Sequence, residues 1–243
     1  MPRAHRYFTK GWHYHVTHRC HDGSFLLKFA KDRDRYRSMI RERLNGYKIS
    51  MLGYCLTSNH VHLVLTVPGR DHLAGFMQSL AGDFAQAYNI RKRRSGAFWG
   101  DRYHASQIEG GRYLWNCLKY VDLNMVRAGV VSHPGEWPWC SYHELAGFRK
   151  RYCLINQGAV FEAFGERISP DDYKENYVAA LEQSIIQKDL SRQPIWSESL
   201  AVGSERFVRE VETTLKNRFQ TELMDTVQDN GAWILRESTC EYA

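Results

Sequence analysis

The chain has no Cys-x-x-Cys pair, no internal repeat, no low-complexity tract and no apolar run near the ~18 residues that span a bilayer. Its six cysteines (Cys20, Cys55, Cys117, Cys140, Cys153 and Cys240) are scattered, which excludes a zinc ribbon or a disulfide framework and suits reduced thiols. The opening Met1-Pro2-Arg3-Ala4-His5-Arg6 lacks the apolar core of a secretory signal. The expectation is a cytoplasmic protein that engages no membrane.

What is present is enough apolar material for a core: 43% of the 243 residues are hydrophobic and 13% aromatic. Charge is unevenly spread. Residues 1–150 carry 23 Lys and Arg against 11 Asp and Glu, whereas residues 151–243 carry 10 against 16. A basic first part suits a polyanion such as nucleic acid, and the acidic remainder reads as a separate accessory region.

Residues Trp12 to Arg19 are aromatic and β-branched and read as a strand, and Asp32 to Leu44 has helical spacing up to Gly46. Tyr47 to Val67 reads as two strands around Ser58-Asn59, His72 to Ile90 as a helix, and Arg91 to Gly96 as a basic loop. Tyr103 to Ile108 alternates as a strand, and Gly110-Gly111 introduces a helix to about Val126. This β-α-β-β-α-β order followed by a helix predicts an α+β, ferredoxin-like (split βαβ) antiparallel sheet with helices on one face. The other face is left for a ligand, and the first and third strands are central. Beyond residue 150, helices near Pro170–Lys188 and Ser204–Phe219 make the tail a mainly helical accessory region.

Two short segments carry chemistry. On a strand, His60 and His62 of Asn59-His60-Val61-His62-Leu63-Val64-Leu65 project from one face, a two-point metal site lacking a third ligand. On a helix, Tyr120 and Asn124 of Tyr120-Val121-Asp122-Leu123-Asn124 share a face, which places a nucleophile beside a neutral oxygen ligand. Together they suggest metal-assisted attack by a tyrosine. Singly, each has a blander explanation in packing or capping, and Trp12-His13-Tyr14-His15 is a second His-x-His. His13, His15 and His18 stay open between packing and sheet-face contacts to DNA, and Gly110-Gly111 between a hinge for the Tyr120 helix and a simple turn.

These segments, with Phe98-Trp99-Gly100-Asp101-Arg102-Tyr103-His104-Ala105-Ser106, Arg112-Tyr113-Leu114, the continuation Met125-Val126-Arg127-Ala128-Gly129-Val130-Val131 and Trp137-Pro138-Trp139-Cys140, closely resemble the REP-associated tyrosine transposases. These are relatives of the single-tyrosine HUH transposases. The similarity covers roughly residues 1–147, so an HUH domain over 1–150 followed by an accessory region over 151–243 is expected.

The resemblance implies that Tyr120 is the nucleophile and that His60, His62 and Asn124 bind Mg²⁺ or Mn²⁺. It implies cleavage and rejoining of single-stranded DNA at small hairpins with a flanking guide tetranucleotide, through a 5′-phosphotyrosine, by a monomer or homodimer without a small-molecule cofactor. The expected DNA contacts are Arg3 and Arg6 as a basic arm, His15, Arg91, Lys92, Arg93, Arg94, Trp99 and Arg102. Met125 stands where family members usually have Pro, so the catalytic helix is expected to end differently here. The rival readings are an active mobile-element transposase, a non-catalytic nucleic-acid-binding regulator, and a metal-dependent hydrolase with no covalent step.

Overall fold

The computed structural model describes residues 12–164, 169–215, 221–226 and 231–238. Arg3 and Arg6 lie outside the described residues. The β-branched start folds as β1 (His13–Arg19) and the charged amphipathic stretch as α1 (Ala30–Leu44). β2 (Ser50–Leu56) and β3 (His60–Thr66) form an antiparallel hairpin around Ser58 and Asn59. α2 (Arg70–Lys92), β4 (His104–Ile108) and α3 (Arg112–Asp122) complete the expected order. β1 pairs antiparallel with β3 on one side and β4 on the other, which puts the His60/His62 strand inside the sheet.

Alternation divides this sheet into two faces. Tyr14 and Val16 of β1 lie opposite Leu65 and Leu63 of β3, and all four are 0% exposed. α1 and α2 cover this apolar face through Tyr36 and Phe84, and Trp99, from the segment between α2 and β4, packs on both and stacks on His18. His15, Thr17, His60 and His62 point to the other face. That face is not left wholly free, because α3 crosses it over β2. Gly53 makes the approach possible: a Cβ there would sit 2.4 Å from Leu118 Cδ2.

After α3 the chain breaks at Leu123 (ψ 1°) and restarts as a single turn, α4 (Asn124–Arg127), instead of running on to Val126. The Pro-to-Met difference at Met125 has little consequence in this geometry. Residue 125 lies in a first helical turn, where no intrahelical N–H bond is required. Trp137 to Ser141 then covers the β2 edge, with Leu56 N–H donating to the Trp139 carbonyl and Ser141 N–H to that of Tyr54. The turn α5 (Tyr142–Leu145) follows.

The segment beyond residue 150 contains helices, as expected: α6 (Gln157–Phe164), α7 (Pro170–Ile186), the single turn α8 (Ile195–Glu198) and α9 (Glu205–Leu215). Ser169 caps α7 by accepting from the Asp172 N–H, with Pro170 in the first turn. The segment is not simply helical, however. β5 (Ala201–Gly203) pairs parallel with β4, and β6 (Thr221–Thr226) and β7 (Ala232–Glu237) continue the sheet to seven strands in the order β2-β3-β1-β4-β5-β7-β6. A second core of Ala201, Phe207, Val208, Val211, Leu215 and Leu235 closes over it, with Phe207 stacked on Trp12. No described helix is long and apolar enough to cross a membrane.

Candidate functional site

His60 and His62 stand on the polar face of β3 with ring centroids 4.7 Å apart. The His60 Nδ1 lies 2.6 Å from the Asn59 Oδ1, whose amide is oriented by donation from Nδ2 to the Gly23 carbonyl. A carbonyl oxygen only accepts, so His60 carries its proton on Nδ1 and presents a lone pair on Nε2. His62 Nε2 lies 3.0 Å from the Asn124 Nδ2, which only donates, so it too holds a lone pair. Burial keeps both rings neutral: the His60 pKa falls to about 4, helped by the Arg19 charge, and that of His62 falls well below its usual value.

Two neutral imidazoles and an amide are donors a divalent ion of this type accepts. Among the described residues no group of three His, Cys, Asp or Glu is gathered to hold a metal.

Tyr120 reaches this place from α3. Its helix starts at Gly111, whose φ of +64° favours glycine, and the Gly111 N–H donates to the Ala163 carbonyl of α6. A Cβ on Gly110 would lie 2.6 Å from that same carbonyl oxygen. The glycine pair is thus a turn pinned against α6, and the hinge reading gains no support. The Tyr120 ring is 6.1 Å from His62 and 6.3 Å from His15, edge-on to both. Burial raises its phenol pKa, and the nearby Arg127 charge opposes that rise.

Asp122, two residues on, faces away from the histidines. Its carboxylate accepts from Ser141 Oγ at 2.6 Å and Tyr177 Oη at 2.7 Å, and burial lifts its pKa to about 7.

A cavity of about 500 Å³ joins His60, His62, Tyr120 and Asn124, and Arg19, Arg127, Arg192 and Glu198 also line it. These four charged neighbours were missed in different ways. Arg19 is the register partner of His60, a pairing that a correct strand alignment yields. Arg127 lies one turn beyond Asn124. Arg192 and its ion-pair partner Glu198 come from the distant tail, and no local pattern announces them.

The expected DNA contacts fall elsewhere. His15 is 0% exposed and cannot reach a nucleic acid; its Nδ1 is 2.7 Å from the Trp196 carbonyl and its Nε2 2.9 Å from the His62 Nδ1. Arg91 and Lys92 belong to α2, not to a loop: Arg91 pairs with the buried Asp32 and Lys92 lies over Phe29. Arg94 donates to the Asn89 Oδ1 and the Ala97 carbonyl. Arg93 and Arg102 are exposed. Trp99 is half-buried and donates to the Ala81 carbonyl, and Phe98 is buried. None of these side chains lines the cavity.

The chain is similar to known proteins over the part that builds this site. Residues 8–124 match the family described as Transposase IS200 like. A Haemophilus influenzae protein described as a REP-associated tyrosine transposase is 26% identical over 155 residues, 59% of this chain and 86% of that one. A solved structure of a REP-associated tyrosine transposase bound to a REP hairpin covers 70% of this chain and 99% of its own. It has 22% identity and a TM-score of 0.53, a likeness of fold.

Proposed function

We propose that this chain, which resembles the REP-associated tyrosine transposases, cleaves and rejoins single-stranded DNA at small REP-like hairpins through a 5′-phosphotyrosine on Tyr120. One observation carries the reading: the lone pairs of His60 Nε2 and His62 Nε2, the Asn124 amide and the Tyr120 ring meet at a single cavity.

His60, His62 and Asn124 would hold Mg²⁺ or Mn²⁺, and rotation of the Asn124 amide about its terminal torsion exchanges Nδ2 for Oδ1 on the cavity side. When bound, the ion polarises the scissile phosphate and offsets charge building on its oxygens. Tyr120 Oη forms the new bond to phosphorus as the bond to the 3′ oxygen breaks; the phenol loses its proton and the 3′ oxygen ends as a hydroxyl. The phosphotyrosine conserves the phosphodiester, so the reverse attack by a 3′-hydroxyl rejoins strands. Arg127 beside the ring favours the phenolate, and Arg19 and Arg192 give the cavity a cationic rim suited to a phosphate backbone.

The test is incubation of the full chain with 5′- and 3′-labelled single-stranded hairpin DNA and Mn²⁺, followed by a denaturing gel and intact mass. An adduct on Tyr120 with release of a 3′-hydroxyl fragment is the expected result. Cleavage without an adduct would replace the reading with a hydrolase, and binding with neither would replace it with a regulator.

A further inference from the structure

His15 is fully enclosed beside the site, and the proposed reaction gives it no part. It is 0% exposed, so both ring nitrogens must find partners within the protein. Nδ1 lies 2.7 Å from the Trp196 carbonyl oxygen, and Nε2 lies 2.9 Å from the His62 Nδ1. The His15 and His62 rings are nearly parallel, at 7°, with centroids 5.1 Å apart. Two ring radii account for the difference between 5.1 and 2.9 Å, so the rings lie edge to edge in a common plane, as a linear N–H···N bond requires.

The proton positions then follow in order. The Trp196 carbonyl can only accept, so the His15 Nδ1 donates to it. A neutral His15 therefore has a lone pair on Nε2, which accepts from the His62 Nδ1–H. A neutral His62 with its proton on Nδ1 is left with its lone pair on Nε2, facing the cavity. Ser106 Oγ, on the cross-strand neighbour of His15, stands beside this carbonyl, 3.1 Å from the Trp196 oxygen and 2.6 Å from that of Ser199, with one proton to donate to the pair.

We propose that His15 is a positioning residue that carries the orientation of the Trp196 carbonyl to His62, fixing the His62 tautomer and ring plane for cation binding. This rests on the reading that His60 and His62 hold the ion. The Asn124 contact cannot do the same work, because turning its Oδ1 to the cavity as a ligand removes the N–H that marks His62 Nε2 as an acceptor. The His15 bond survives that change. The segment Ile195–Glu198, more than one hundred residues from the histidine pair in sequence, is thereby part of the cation site.

Two measurements on the full chain test this. In wild-type protein with ¹⁵N-labelled histidine, the expected spectrum has His62 protonated at Nδ1, unprotonated at Nε2, and scalar-coupled through the hydrogen bond to the His15 Nε2. Finding His62 protonated at Nε2 overturns the proposal without need of a variant. In calorimetric titration with Mn²⁺ alone, His15→Ala should weaken binding about tenfold to a hundredfold, the range typical of partners behind a metal ligand. His15→Gln, whose amide both donates and accepts, should restore most of that loss. Wild-type-like Mn²⁺ binding by His15→Ala overturns the proposal. If wild-type protein shows the expected tautomer but binds no Mn²⁺, the relay stands and the metal reading falls.

Discussion

Arg127 lies over the ring of Tyr120, its guanidinium carbon 4.2 Å from the ring centroid, while Nη2 donates to the Tyr120 carbonyl at 3.2 Å. One side chain thus steadies both the ring and the backbone of the proposed nucleophile. Two of its nitrogens, Nε and Nη1, are buried without a hydrogen-bond partner among the described residues, and burial lowers its pKa. An arrangement that leaves donors unpaired costs stability.

Replacing Arg127 with Met should therefore separate stability from activity. The thermal midpoint should stay level or rise, because a costly buried charge is removed. Adduct formation at neutral pH should slow by about tenfold or more, since each unit added to the phenol pKa lowers the phenolate fraction about tenfold. The deficit should shrink as pH is raised. A rate profile superimposable on wild type would remove Arg127 from the reaction.

Tyr120→Phe keeps the ring contacts with His15, His62 and Trp196 and deletes only the hydroxyl. Adduct formation should vanish while hairpin binding, followed by fluorescence anisotropy, is retained. A Phe variant that still cleaves would reassign the nucleophile.

The two histidines should differ in what their loss does to the fold. His62→Ala strands the His15 Nε2 and the Asn124 amide in buried surroundings, a cost of about 1–3 kcal/mol. His60 sits at the strand end with partners in the adjoining loop, so His60→Ala should cost less. Both should abolish Mn²⁺-dependent cleavage. Denaturant unfolding of the pair, read beside activity, checks this; equal stability losses would contradict the asymmetry.

Asp122 should leave a mark on the pH dependence of stability. Its pKa rises from 3.8 to about 7 in the folded chain, so between these values the folded state binds the proton more tightly than the unfolded one. Its contribution to stability is present at low pH and is lost as pH climbs from about 4 to about 7. His15 and His60 act in the opposite sense, since their lowered pKa values make the fold gain stability as pH rises over much of the same window. Comparing wild type with Asp122→Asn isolates the carboxylate: the variant's thermal midpoint should gain on wild type as pH increases from 4.5 to 7.5. Parallel curves would show that Asp122 titrates normally.

Gly53→Ala should press α3 away from the sheet, because the new methyl meets Leu118 Cδ2. The expected cost is about 1–3 kcal/mol, with slower adduct formation because α3 carries Tyr120. Leu118→Ala combined with it should recover part of the activity. Full activity in the single variant would mean that α3 can shift without consequence.

The strands and the two pairs His60/His62 and Tyr120/Asn124 were legible because their logic is local. Strand alternation and helical spacing decide which side chains share a face, and the antiparallel order followed from the succession of short elements. The role of His15 was not legible. A buried histidine and a DNA-facing one look alike in a β-branched run, and only the arrival of Trp196 distinguishes them. The strands of the tail were hidden for another reason: β5 is three residues long, and β6 places Leu223 and Met224 side by side between Glu222 and Asp225, so it lacks the alternation that marks a strand and lies on a largely exposed edge. The basic cluster misled because the Asp32 that engages Arg91 lies on another helix, a partner no spacing rule reveals.

The position of the Trp196 carbonyl also bears on how the protein comes into being. A ribosome releases the histidine strand and the tyrosine helix well before residue 196, so a nascent chain holds every group of the proposed chemistry while His15 still lacks its acceptor. Full affinity for a cation would be acquired late in synthesis, after the sheet and α3 have formed. The order of translation would then set when the proposed cation site reaches its full affinity.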